Sequence, residues 1–385
     1  AMPCVGGEHV YSMRALGRTA SCICTWAILL GYVAVHAFEA VALPTVLEYI
    51  VPGFSRGYLW TVAGWDVNAT WVSTGAIAAI VMVLVNVLGI RTAARLQVLV
   101  VVIVLLSGIA LMSGAVVSGS PANLSPAFAG GLAGLLSVLV MVPFMFVGFD
   151  VIPQSAEEID LPFREIGRLL VISIVIAIGW YAAIIGAVAL GLSETGREAA
   201  TLPTADAAAA VFGGSWASKL LVVGGIAGIL TSWNAFLIGG SRALFALARA
   251  GQVPAVFARL HPRFHTPVNA ILLTGGLAVF APLFGRPAMV WLVNAGGLGI
   301  VTAYAMVAAS FLVLRSREPD MERPYRVSNG SFVGWAALVF SVALASLYLP
   351  WSPAALLWPQ EWLIVIAWCV LGFVFHRLSG KTPEQ

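Results

Sequence analysis

Of the 385 residues, 60% are hydrophobic and 10% charged, with 20 Lys and Arg against 17 Asp and Glu and a formal net charge of +3. Soluble domains carry about 25% charged residues, so this composition excludes a water-solvated fold and requires lipid around a polytopic chain. A positive surplus this small, gathered in loops, excludes a nucleic-acid surface.

The chain opens at Ala1 with AMPCVGGEHVYSMRALG, which reads as the tail of a helix, and no basic n-region marks a cleavable signal peptide. Apolar runs of about 20 residues then predict ten spans, near 20–50, 69–90, 98–118, 129–155, 166–192, 219–246, 267–285, 288–314, 333–350 and 361–376. Of the connections, 192–218 predicts an external loop and 315–332 an internal one, and no stretch predicts a soluble domain. Running 20–50 outward from the cytoplasm and alternating leaves Arg56, Arg197, Lys219 and Arg286 outside. The other 16 of the 20 basic residues, from Arg14 to Lys381, fall inside. That asymmetry fits the positive-inside rule and puts the C-terminus in the cytoplasm. Cys4, Cys22, Cys24 and Cys369 read as small apolar helix residues, because the CxC lacks a second pair for a metal. Without HExxH, GxSxG or a His/Asp cluster at a membrane face, nothing points to an enzyme, and no cofactor is expected.

Most of the 17 acids fall in loops or near helix ends, and two do not, Glu39 and Asp150. A carboxylate at the bilayer centre costs about 2.5–3.5 kcal/mol on insertion scales, so such groups face a cavity, find a partner or hold a proton. Asp150 sits in FMFVGFDVIPQSAEEID, residues 144–160, where Gly148 loosens the helix and Pro153 removes a donor. A second half-helix starting near Asp150 predicts that its side chain accepts from the first-turn amides, where Pro153 is harmless. That role stands alone or together with proton or substrate coupling. Glu39 follows His36 by three residues, on one helix face. The pair reads equally as a holder of an amine or proton and as a buried contact that fixes packing. Unwound backbone at membrane depth is tolerated where it lines a cavity, and its amides and carbonyls suit a zwitterion.

These residues carry a resemblance to the amino acid–polyamine–organocation (APC) family of secondary transporters, over nearly the whole chain. GGEHVYSMRALG (6–17) resembles the family's second-helix signature, and FVGFDVIPQSAEEID (146–160) its sixth-helix motif. NAFLIGGSRALFALARAGQVP (234–254) is similar to the eighth-helix motif, and TPVNAI (266–271) and RPYRV (323–327) to later loops. The resemblance implies an all-α polytopic bundle of LeuT-like fold, with two five-helix inverted repeats and two extra helices. It makes residues 1–385 one transmembrane permease domain, with 1–16 the end of helix two, 20–314 helices three to ten and 333–376 helices eleven and twelve. It implies transport of amino acids or related amines across the plasma or inner membrane by proton symport or exchange, with lipid as surroundings and no nucleic acid.

Carried over by position, Phe146, Val147, Gly148 and Phe149 supply the helix-six backbone of the substrate site. Phe144 falls at an aromatic gate or packs, and Asp150 falls where some relatives have an acid implicated in proton coupling. Asn234 and the stretch Asn294–Gly297 are cavity candidates on helices eight and ten. Glu39 tilts the guest slightly towards an extra positive group, with a neutral amino acid equally open. Arg242 and Arg249 read as a cytoplasmic gate or as topology determinants. The sequence departs from the family pattern in two places. Residues 98–118 contain no lysine, which excludes coupling through the helix-five lysine of some relatives. The family's first helix has no counterpart, so about 40 upstream residues are expected, and without them the chain is not expected to transport. A transporter-like sensor or non-transporting remnant is the alternative.

Overall fold

A computed structural model describes residues 6–89, 93–128, 130–154, 162–323 and 325–379. Cys4, the 155–160 end of the sixth-helix motif, Pro324 and Lys381 lie outside them. After the short helix α1 (Glu8–Leu16), Gly17 at φ 88° turns the chain into α2 (Arg18–Ile50), a 33-residue helix whose middle is almost wholly buried. The spans α3 (Ala69–Leu88) and α4 (Ala93–Ser118) follow. The predicted run 129–155 is broken into α5 (Gly131–Leu139), α6 (Val142–Phe146) and α7 (Val151–Gln154). Next come α8 (Phe163–Gly191), α9 (Glu194–Ala199), α10 (Pro203–Phe212) and α11 (Ser215–Arg249). The chain closes with α12 (Val268–Gly276), α13 (Ala288–Arg317), α14 (Gly330–Leu347) and α15 (Gln360–Leu378).

Among the described residues nine segments are long and apolar enough to cross a membrane. The tenth, over the predicted 267–285, is shorter: α12 continues as a 3-10 helix, Leu277–Phe284. Because a 3-10 helix rises about 2.0 Å per residue against 1.5 Å for an α-helix, these 17 residues still reach roughly 30 Å, the thickness of the hydrocarbon layer.

Two connections differ from expectation. The external loop predicted over 192–218 contains α9, α10 and the first turn of α11. Ala205, Ala207, Ala208 and Val211 bury one face of α10 against α4, α8 and α11. Small residues let that short helix lie close, and their modest hydropathy hid it from a search for apolar runs. Arg197 ties the corner by donating to the carbonyls of Asn123, Ala189 and Leu192. Between α2 and α3, β1 (Tyr58–Val62) and β2 (Trp65–Asn68) form an antiparallel hairpin that the span search did not mark. Ala63 and Gly64 turn it with φ of 48° and 79°, the positive pair that a two-residue hairpin turn needs.

The core is organised around α2, which packs on α13 along one side and α11 along another. The α2–α13 contact is close because glycines alternate across it. A Cβ on Gly31 would lie 2.4 Å from Ile300, and one on Gly299 would lie 2.5 Å from the Ala27 carbonyl. Side chains cannot fit there, so backbones meet. Beside this contact, Trp26 of α2 and Trp368 of α15 stack at 4.5 Å, and each indole N–H donates to the other's carbonyl at 2.9 and 2.8 Å.

Candidate functional site

The break between α6 and α7 faces the middle of α2. Val147 leaves the helix in an extended conformation, and Gly148 takes φ 127°, a region open to glycine alone at little cost. The Gly148 amide, freed from the helix, donates to Asp150 Oδ1 at 2.7 Å. Asp150 therefore caps backwards, within the break. The predicted bond to the first-turn amides of α7 does not form: one carboxylate oxygen is turned to Gly148, and Oδ2 accepts from the Tyr32 hydroxyl of α2 at 2.5 Å. Both oxygens of this buried carboxylate are thus held by donors from two separate elements.

Aromatic rings surround the pair. Phe236 of α11 lies 5.5 Å from the Tyr32 ring, and a Cβ on Gly148 would meet Phe236 at 3.3 Å. Phe149 faces Tyr304 of α13 at 5.6 Å, and Phe146 faces Tyr181 of α8 at 5.1 Å. The Tyr181 hydroxyl donates to the Met145 carbonyl, fixing the end of α6 to α8. Gly148→Ala is expected to cost about 1–2 kcal/mol through the disallowed φ, read as a lower melting temperature in detergent; unchanged melting would mean the break relaxes freely.

Phe144 is 8% exposed and sits between Phe38, at 5.6 Å, and Gly296 of α13. Phe38 also lines a cavity of ≈ 510 Å³, together with Met141, Arg286 and Val293. Phe144 is thus in contact with a residue that borders that cavity.

His36 and Glu39 are both buried but do not pair. Glu39 accepts from Ser232 of α11, while both ring nitrogens of His36 lack a partner among the described residues, as does the Tyr304 hydroxyl. Buried polar atoms without partners are costly, and these flank Tyr32 along α2 and Phe149 at the break. Asn234 and Asn294 are turned elsewhere. Asn234 accepts from Asn86 of α3 at 3.0 Å, and Asn294 donates to Glu361 at the start of α15 at 2.8 Å. Arg242 and Arg249 lie near the end of α11, with Arg249 5.9 Å over the Phe245 ring.

Tyr32, Ser232, Tyr304 and Glu8 escaped the sequence reading. For Tyr32 a signal existed: Tyr32, His36 and Glu39 recur at i, i+4 and i+7, one polar stripe on an otherwise apolar helix. Glu8 of α1 accepts from Gln154 at the end of α7, which joins the GGEHVY stretch to the lower edge of the break.

Comparison with known proteins fits this geometry. The family model described as "Amino acid permease" matches residues 1–379. The branched-chain amino acid permease BcaP of Bacillus subtilis is 23% identical over 391 residues, covering all of this chain and 81% of the relative. The aspartate-proton symporter of the same organism is 25% identical over 402 residues, covering all of this chain and 74% of its own. The human cationic amino acid transporter 4 is 28% identical over 364 residues, 89% of this chain and 56% of the relative.

Proposed function

The chain belongs to the amino acid permease family, and from that premise we propose a secondary active carrier that moves amino acids or related amines by alternating access, driven by proton symport or exchange. A multi-pass membrane protein of amino acid transport accounts for the helical bundle. The finer reading places it in the plasma or inner membrane, with the arginine-rich ends and the C-terminus in the cytoplasm, as the charge asymmetry favours. It also orders the helices in the family's scheme. α1 ends helix two, α2 to α4 are helices three to five, and α5–α7 together are the broken helix six. α8, α11, α12 with its 3-10 continuation, and α13 are helices seven to ten, followed by α14 and α15. The inverted repeats of the LeuT-like fold belong to the same reading.

The observation that carries the proposal is the break at 147–150, with Asp150 held between the Gly148 amide and the Tyr32 hydroxyl. The solute's charged ends meet the backbone of Phe146, Val147, Gly148 and Phe149, and Phe144 closes over it. Asp150 carries the coupled proton. A protonated carboxyl donates from one oxygen, so taking up a proton either turns the Tyr32 hydroxyl from donor to acceptor or releases it, while the other oxygen keeps accepting from Gly148. Proton occupancy and the shape of the break then change together. Glu39, on Ser232, receives a second amino group when the guest has one. Asn234 and Asn294 act at the cavity's edge, through α3 and α15.

Uptake of a labelled amino-acid and amine panel into proteoliposomes of the full-length protein, with and without an inward proton gradient, tests this. Accumulation above empty vesicles that grows with the gradient is expected for at least one solute. Tight binding of a solute with no accumulation would instead leave a sensor.

A further inference from the structure

The arginine-rich end of the bundle carries a second built feature. Arg164, Glu165 and Arg168 in the first turns of α8, with Arg323, Tyr325 and Arg326 from the segment after α13, line a cavity of ≈ 550 Å³. Gly167 sets its closeness: a Cβ there would lie 2.9 Å from Tyr325 Cβ and Cγ, so the tyrosine rests on the α8 backbone. Four guanidiniums and one carboxylate therefore share one cleft. Arg323 is already engaged, donating to the carbonyls of Leu314, Glu318, Pro319 and Met321 and so closing the end of α13. Arg164, Arg168 and Arg326 make no hydrogen bond or ion pair among the described residues. Like charges gathered without a partner repel, and an anion that bridges them removes the penalty.

The helix that carries them indicates which anion. Arg164, Arg168, Ile172 and Ile176 follow one another at i+4, so they form a single stripe. Ile172 and Ile176 are 41% and 64% exposed on a helix that crosses the membrane. α14, which follows the Tyr325 segment, opens with Phe332 at 76% exposed. A small soluble anion would use the cleft alone, whereas a phospholipid uses the cleft for its phosphate and the apolar stripe for its chains. Guanidinium forks match phosphate oxygens, and basic pockets between membrane helices on the cytoplasmic side suit lipid headgroups.

We propose that this cleft is a binding site for an anionic phospholipid, whose phosphodiester bridges Arg164, Arg168 and Arg326 while its acyl chains lie along the Ile172–Ile176 stripe of α8. The site rests on the multi-pass membrane fold and is independent of which solute is transported.

The purified protein is titrated with dihexanoyl-phosphatidylglycerol, dihexanoyl-phosphatidylcholine and inorganic phosphate, and the melting temperature is followed. Phosphatidylglycerol is expected to raise it at concentrations where the other two do not. Arg164→Gln/Arg326→Gln is expected to weaken that response about tenfold or more. Arg259→Gln/Arg263→Gln, which removes the same charge from exposed positions elsewhere, is expected to leave it unchanged. Equal responses to both lipids, or an equal loss in the control pair, overturn the proposal. A response to inorganic phosphate that matches phosphatidylglycerol also overturns it, assigning the cleft to a soluble anion. Should the cleft variant fail to fold, the three-probe comparison on the unaltered protein decides alone.

Discussion

Asp150→Asn is expected to flatten the pH dependence of uptake, holding one rate across the range in which the unaltered protein responds. The amide keeps the shape of the carboxyl and can still accept from the Gly148 N–H with its oxygen. Its nitrogen cannot accept from the Tyr32 hydroxyl, now 2.5 Å from Oδ2. The variant thus mimics the protonated state permanently. A hydrogen bond to a charged group is worth about 1.5–3 kcal/mol, a factor of roughly ten to a hundred in the balance between the held and released breaks. Gradient-driven accumulation should fall by a similar factor, while exchange at equal pH on both sides falls less. Tyr32→Phe is the matched control. It removes the same bond but leaves a titrating acid, so its uptake keeps a pH dependence with a displaced midpoint. Unchanged pH dependence in Asp150→Asn would reduce the acid to a backbone cap.

Phe144→Ala is expected to shorten retention of a preloaded solute about tenfold, measured as efflux from proteoliposomes. The ring packs on Phe38, which lines the ≈ 510 Å³ cavity, two residues before α6 ends at the break. Truncating it leaves Phe38 without that support, which is expected to loosen the closure over the solute. Removal of a buried phenyl ring also costs about 3–5 kcal/mol of stability, so melting must be followed alongside efflux. Phe144→Leu, which keeps most of the bulk, should recover stability and only part of the retention. Lowered melting with unaltered efflux would mean that Phe144 packs and does nothing else.

Much of the fold could be read because a bilayer imposes simple demands. Among the described residues nine apolar spans of sufficient length lie where the sequence places them, and the shorter tenth lies there too, since lipid-facing helices must be apolar throughout and loops must not be. The break was equally readable: glycine, acid and proline within six residues leave a continuous helix few options. What escaped was structure at the ends of spans, where water satisfies the backbone and hydropathy carries little information. The hairpin at 58–68 and the alanine-rich α10 are of this kind. The direction of the Asp150 cap escaped for a different reason. A carboxylate that could accept from α7 ahead of it accepts from Gly148 behind it, because the positive φ of that glycine aims its amide at the acid. Tertiary partners were the least accessible. That Asn294 faces Glu361 and Asn234 faces Asn86 depends on which helices adjoin, and periodicity within one helix is silent about that.

The crossed indoles of Trp26 and Trp368 have a mechanical meaning. Two hydrogen bonds running in opposite directions, closed over a ring stack, act as a rivet that resists both sliding and rotation. α2 and α15 are therefore clamped at this level into one beam, which also carries Tyr32, the residue that grips Asp150. A rearrangement that opens the break by moving α6 and α7 alone leaves this rivet intact. The rivet thus supplies the molecule with its own fixed origin, from which the displacement of every moving part can be measured.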